Sequence, residues 1–332
     1  MKVIWNYDAA PGLEQRLKEL AAEGLDVQVC PESDDGRLFQ LLPDADVLWH
    51  CLRPVDAAVL DAAPRLRLVQ KIGVGVNTID LQQAGARGVA VCNMPGSNSR
   101  AVAELTLGLM LAVLRQLPRF DGDLRAGRGW NWNPERMDQL GEIAGRQIGL
   151  VGFGEVPRLL APVLHAMGAR VVYTAPTPRD SDCAQYAPLE QLLAESDIVS
   201  LHVPLTDVTR KLLDQRRIGA MKPGAILVNT ARGALVDENA LLAALRSGHL
   251  GGAGLDVFAT EPMSRSHPLL KRHDVVLTPH VAWLTEQTLQ RSLAVAAENC
   301  RRLVAGEPLL HRVGPDQDQN LHMSTTRIRS TP

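Results

Sequence analysis

The chain has 332 residues, 45% of them hydrophobic and 22% charged, with a formal net charge of −2. That length suits two domains better than one, and the near balance of charge gives no electrostatic reason to expect nucleic acid or an anionic membrane as partner. The longest apolar run lies within "LTLGLMLAVL", 105–114, too short to span a bilayer, and the five scattered cysteines form no CxxC pair, which points to reduced thiols in a cytoplasmic protein with no metal site.

In chain order, the first strand candidates are "KVIWNY" (2–7), "LDVQVC" (25–30), "ADVLWHC" (45–51), "LRLVQKIG" (66–73) and "VAVCN" (89–93). Helical patterns separate them, such as "GLEQRLKELAAEG" (12–24) and "TIDLQQAGARG" (78–88). Strands alternating with helices imply βα units and a parallel sheet. A long helix is predicted over 100–117, with Ser99 as N-cap and an apolar surface nearly all round, as in a helix buried between domains or subunits. The stretch 119–137 reads as loop. A second βα series follows, with strands in 148–176, "DIVSLHVP" (197–204), "AILVNTARG" (225–233), "GGAGLDVF" (251–258) and "VVLTPHV" (275–281). A final helix over 285–306 has no place in that second sheet and is expected to return to the first domain. The polar, aperiodic 314–332 reads as a flexible tail.

The segment "IGLVGFGEVPRLLAPVLHAMGARVVYTAP" contains strand, glycine turn, helix and strand. Gly152-x-Gly154 begins a dinucleotide-binding fingerprint, in which a helix N-terminus offers free N–H groups to a pyrophosphate. The third glycine is replaced by Pro157, which a helix's first turn tolerates because its missing N–H has no partner there anyway. Glu155 brings a carboxylate near the phosphate position. The acidic residue expected after the second strand is missing, since the chain runs through Thr174 into Ala175.

Three further residues could carry chemistry. Arg232 follows a buried strand at its carboxyl end, where α/β sheets place ligands, and its fork fits a carboxylate. Glu261 and His280 each lie just beyond a strand end. A carboxylate beside an imidazole orients it for general acid–base work. The plain alternatives are a surface arginine in a turn closed by Gly233, and a structural histidine like any of the eight others.

The motifs "KIGVGVNTIDL", "CNMPGSNSRAVAEL", "GLVGFG", "SLHVPLTDVTRKLL", "MKPGAILVNTARGALVDE", "GLDVFATEP" and "LTPHVAW" stand in one order over about residues 45–313. In this they resemble the D-isomer-specific 2-hydroxyacid dehydrogenases. The resemblance implies an α/β fold of two Rossmann-like, doubly wound parallel-sheet domains with the active site in the interdomain cleft. The substrate domain would be 1–97 completed by 285–313, and the dinucleotide-binding domain 98–284. It implies hydride transfer between a nicotinamide cofactor and C2 of a small 2-oxo or 2-hydroxy acid. Arg232 would anchor the acid, and Glu261 would pair with His280, the proton donor. Val74, Gly75 and Asn77 would meet the substrate carboxylate. Cofactor contacts are implied for Gly152, Phe153, Gly154, Glu155, Val156, Thr174, Ala175, Arg179, His202, Val203, Pro204, Thr209, Thr230, Ala231 and Asp256, the last facing the nicotinamide amide. A homodimer through the long helix is also implied.

Ala175 removes both an acceptor for the ribose hydroxyl and a repulsion of a 2′-phosphate, and Thr177 and Arg179 follow, so NADP(H) is favoured over NAD(H). The substrate side-chain pocket is open in the sequence: Trp283, Leu52 and Arg53 are candidates. The competing reading is a dinucleotide-sensing scaffold of the same fold, or an enzyme whose cofactor grip is weakened by Glu155, Pro157 and Ala175 together.

Overall fold

Val3, Ile4 and Trp5 in the first strand are all buried, as are Val47 to His50 in the third, so these segments have apolar side chains on both faces and belong inside a covered parallel sheet. A computed structural model describes residues 1–130 and 134–314. Its described residues form two compact units, one from Met1–Asn98 with 285–314 and one from Ser99–Leu284.

The first unit contains strands β1 (Lys2–Asn6), β2 (Asp26–Cys30), β3 (Val47–His50), β4 (Leu68–Lys71) and β5 (Ala90–Cys92). They pair in parallel in the order β5-β4-β3-β1-β2. Ile4, Leu48, Val69 and Val91 form the centre of one core face with Leu38, Leu42, Val59 and Leu60 from the helices. The helix Glu286–Ala305 belongs to this unit: Asn299 Nδ2 donates to Gln70 Oε1 at 2.6 Å and Arg67 donates to the carbonyl of Leu303 at 3.0 Å.

The second unit holds a seven-stranded, wholly parallel sheet. Its strands are β6 (Gln147–Val151), β7 (Arg170–Thr174), β8 (Gln185–Tyr186), β9 (Ile198–Leu201), β10 (Ala225–Asn229), β11 (Leu250–Leu255) and β12 (Val275–Leu277), in the order β12-β11-β10-β9-β6-β7-β8. The chain moves outward one way from β6 to β8 and the other way from β9 to β12, so the switch point lies between β6 and β9. Open α/β sheets bind ligands outside the carboxyl ends of strands at such a point. A short strand β13 (Arg312–Val313) returns to the first unit and pairs antiparallel with β5. No single helix among the described residues is long and apolar enough to cross a membrane.

Three local expectations change. Ser99 is the first helical residue, not the cap, because a turn over 95–98 already curls the chain, with Ser97 bonding to the Met94 carbonyl. The helix ends at Leu114, where Gln116 takes φ +49°. The loop expected over 119–137 begins instead with a helix, Leu117–Arg125. Leu117, Phe120 and Leu124 share a helical face there, and Asp121 pairs with Arg125 at 2.8 Å one turn on. Gly122 and the polar residues hide that period. The rest of that stretch includes residues 131–133, outside the described residues, as are 315–332 of the expected tail.

Candidate active site

Almost every candidate in the second unit follows the carboxyl end of one of its parallel strands. Residues 152–156 follow β6, 174–179 end or follow β7, and 202–209 follow β9. Residues 230–232 follow β10, Asp256 and Glu261 follow β11, and His280 follows β12. Parallel pairing brings these ends to one edge of the sheet.

At the glycine turn, Gly152 has φ +100°, and a Cβ there would lie 2.5 Å from the His202 carbonyl oxygen, so only glycine fits. Gly154 is different. It caps the helix Glu155–Ala166 with ordinary φ −85°, and a Cβ would meet nothing within 4 Å. The protein itself does not require glycine at 154, whereas a dinucleotide approaching the backbone would. Pro157 is the third helical residue and is buried in the first turn. The Glu155 carboxylate lies 3.7 Å from the Arg158 guanidinium, which tempers its charge. The turn therefore fits a pyrophosphate. Phe153 stacks on Tyr173 at 3.8 Å between ring centroids.

Other cofactor candidates are committed within the protein. Val203 is buried and Pro204 exposed. Thr209 is buried, its hydroxyl donating to the Pro204 carbonyl at 2.6 Å, so it shapes the 204–209 loop. The Thr230 hydroxyl bonds that of Thr106 at 2.8 Å, and the Ala231 N–H donates to Asn229 Oδ1 at 3.0 Å. His202 Nε2 is 2.9 Å from Ser200 Oγ.

Burial pushes the His202 imidazole down to about 3. It also holds His50 in the first unit well below its ordinary value, with Lys71 and Arg53 adding to the effect. Both rings are neutral when folded, but an unfolded chain protonates them below about 6.5. Acid therefore favours unfolding, and stability falls as the pH drops below that value toward the folded ones. Each ring contributes a slope of roughly 1.4 kcal/mol per pH unit. Denaturant titrations of wild type and His202→Gln between about pH 6.5 and 4.5 should differ by close to one proton's slope; identical slopes would refute a neutral His202 in the folded protein.

The candidate acid–base group is built by three loops. His280 Nδ1 lies 2.6 Å from Glu261 Oε2, and the other oxygen of Glu261 accepts the Phe258 N–H at 2.9 Å. Burial works to raise the Glu261 carboxyl, but His280, the Phe258 N–H and Arg232 outweigh it and hold the group below the usual carboxylate range. Burial lowers the Arg232 guanidinium, with Glu261 opposing. Arg232 Nη1 donates to the Ala231 carbonyl at 2.6 Å, while Asn229 Nδ2 donates to the Arg232 carbonyl at 2.9 Å.

The way two residues position this group is not evident from the motifs. Gly233 packs directly on the next loop: a Cβ there would fall 1.9 Å from the Phe258 carbonyl carbon. That contact sets the Arg232 segment against the one whose N–H holds Glu261. Asp256 is fully buried. Its Oδ1 accepts from Thr278 Oγ1 at 2.6 Å and the Val281 N–H at 2.9 Å, and its Oδ2 from the Ala282 N–H at 2.9 Å. The carboxylate thus clamps the loop that carries His280 from both sides. Burial pushes its carboxyl up against those bonds and His280. His280 itself has φ +55°, its N–H donating to the Asp256 carbonyl at 2.8 Å. Trp283 is buried and donates to the His280 carbonyl at 3.1 Å, so it props the loop.

In the first unit, Val74 and Gly75 follow β4, and among the described residues their N–H groups have no hydrogen-bond partner. The Val74 carbonyl is held by Asn93 at 2.9 Å, which fixes the loop. Asn77 is exposed nearby. Arg53 pairs with Asp35 at 2.8 Å and lies over Phe39, and Leu52 is half-buried.

A parallel sheet with a glycine turn at its switch point, and with a guanidinium and a carboxylate–imidazole pair on the same edge, defines a dinucleotide-binding α/β protein with acid–base capacity. Residues 107–282 match the model of the D-isomer specific 2-hydroxyacid dehydrogenase, NAD binding domain. The chain belongs to the D-isomer specific 2-hydroxyacid dehydrogenase family, and its second unit is a nicotinamide-dinucleotide domain. It is 40% identical over 278 residues to a glyoxylate reductase of Korarchaeum cryptofilum, covering 81% of this chain and 83% of that one. Over 303 residues it is 40% identical to a D-3-phosphoglycerate dehydrogenase of Mycobacterium leprae, covering 90% of this chain and 56% of the relative. The chain spans about half the length of the curated phosphoglycerate dehydrogenases it matches. Its fold is similar to that of an NADPH-dependent glyoxylate/hydroxypyruvate reductase of Sinorhizobium meliloti in complex with NADP and malonate, with TM-score 0.80, 30% identity, and 94% of this chain and 96% of that chain covered.

Proposed function

We propose that this chain is an NAD(P)-dependent D-2-hydroxyacid dehydrogenase that reduces small 2-oxoacids, with Arg232, Glu261 and His280 as its catalytic residues. The observation that carries this reading is the 2.6 Å contact of His280 Nδ1 with Glu261 on the edge that also bears Arg232. Bound NAD(P)H supplies the hydride that reaches C2. Arg232 takes the substrate carboxylate with its fork and polarises the adjacent carbonyl. Val74 and Gly75 offer N–H groups to the same carboxylate. Glu261 holds Nδ1–H, so Nε2 of His280 is the atom that delivers a proton to the carbonyl oxygen and takes it back in the reverse direction. The products are a 2-hydroxy acid and NAD(P)⁺.

NADP(H) is the favoured cofactor. Ala175 supplies no carboxylate after β7, and Arg179 is exposed with no side-chain partner among the described residues. A homodimer in the cytoplasm belongs to the same proposal. Leu117 and Leu124 on one helix, and Leu159 and Val163 on another, support it as exposed apolar side chains around the helix Ser99–Leu114.

The test is turnover of glyoxylate and hydroxypyruvate with NADPH and NADH, together with titration of each cofactor. One charge-assisted phosphate contact is worth roughly 1.5–3 kcal/mol, enough for about tenfold tighter NADPH. Arg179→Ala should remove most of that preference. Cofactor binding without turnover of any 2-oxoacid would favour the sensing scaffold, and NADH binding as well as NADPH would end the NADP assignment.

A further inference from the structure

The loop after β7 is not free to wander. Tyr173, the fourth residue of β7, is buried, and its ring stacks on Phe153 of the glycine turn at 17° between planes while meeting Tyr186 edge-on at 5.8 Å. Its hydroxyl reaches forward along the loop. Tyr173 Oη accepts the Arg179 N–H at 2.6 Å and donates to the carbonyl oxygen of the same residue. One phenol therefore satisfies both backbone polar groups of Arg179. The Arg179 side chain remains exposed, with no partner among the described residues.

We infer that Tyr173 is the positioning residue for cofactor selectivity: its hydroxyl pins the Arg179 backbone so that the guanidinium stands ready for an anionic group on the adenosine ribose. The inference rests on the NADP reading above and supplies the physical condition it needs. A cation on an unpinned loop must lose backbone freedom when it grips a phosphate, which works against binding. A backbone fixed beforehand has already lost that freedom, so the contact contributes more fully to binding. The same rigid stack joins the phosphate turn, through Phe153, to the ribose loop, through Tyr173. Asp180 and Asp182 flank the site as exposed carboxylates. They repel a phosphate, which makes the fixed placement of Arg179 more consequential.

Tyr173→Phe keeps the stacked ring and removes only the hydroxyl. The NADPH-to-NADH affinity ratio is expected to fall by roughly threefold to tenfold, the effect of one or two lost hydrogen bonds. NADH affinity and kcat with saturating cofactor should stay as in wild type. In Tyr173→Phe/Arg179→Ala the loss should be no greater than in Arg179→Ala alone, because both act on one contact. Hydrogen exchange on the wild type gives an independent reading that needs no variant: the Arg179 amide should be protected well beyond the amides of Thr177 and Asp180. A wild type without NADPH preference defeats the cofactor reading. A wild type that prefers NADPH, with Tyr173→Phe leaving the ratio untouched or the Arg179 amide exchanging as freely as its neighbours, overturns the role of Tyr173 alone.

Discussion

His280→Gln should lower kcat for 2-oxoacid reduction by roughly 10²–10⁴-fold, the usual loss when a general acid is removed, while cofactor Kd is unchanged. The glutamine amide can still donate to Glu261, but it has no second nitrogen from which a proton can be delivered. His280 sits at φ +55°, where a glutamine is less at ease than a histidine, so a destabilisation of about 1 kcal/mol accompanies the change and a thermal melt is run alongside. Glu261→Gln separates orientation from proton transfer. Its carbonyl oxygen can keep the Phe258 N–H, but its amide would face Nδ1 and require a lone pair there, so that Nε2 carries the proton in the neutral ring. With its proton already on Nε2, that tautomer has no lone pair facing the substrate to receive the hydroxyl proton, and oxidation of the 2-hydroxy acid should suffer at every pH. Near-wild-type kcat in His280→Gln would remove His280 from the chemistry.

Gly233→Ala should be nearly as damaging, although a methyl group is all that changes. The new Cβ would lie 1.9 Å from the Phe258 carbonyl carbon and 2.0 Å from its oxygen, both backbone atoms that cannot swing aside. The two loops must separate, and they carry Arg232 on one side and the Glu261 support on the other. Displacements of about 1 Å in such a constellation cost on the order of 10²-fold in rate. Overpacking adds about 1–3 kcal/mol of lost stability. Denaturant unfolding and kcat/KM measured on one preparation test this together. A variant with unchanged kinetics and stability would show that the two loops need not touch.

Much of this was legible in the sequence because it depends on local chemistry. Apolar runs with helical spacing between them specify buried parallel strands, and the run "GLVGFG" specifies a turn that only Gly152 can make. Arg232, Glu261 and His280 could be named because each follows a strand, and a parallel sheet delivers the ends of its strands to one edge. Other features had no local signal. Nothing in the sequence near Asp256 shows that its carboxylate is enclosed by N–H and hydroxyl donors from 278–282, residues far along the chain. Gly233 read as a turn glycine, yet what forbids a side chain there is the backbone of Phe258, on a different loop. Tyr173 read as a strand residue, and nothing in its spacing shows that its hydroxyl closes on Arg179. The helix Leu117–Arg125 leaves little trace in the sequence because its apolar face is only three residues long. The sequence by itself marked the candidate residues for the chemistry and the strands that deliver them, since period, charge and chain order are local properties. Only the tertiary structure decided what holds those residues in place, because hydrogen bonds and close contacts between loops exist only after the sheet has brought their strand ends together.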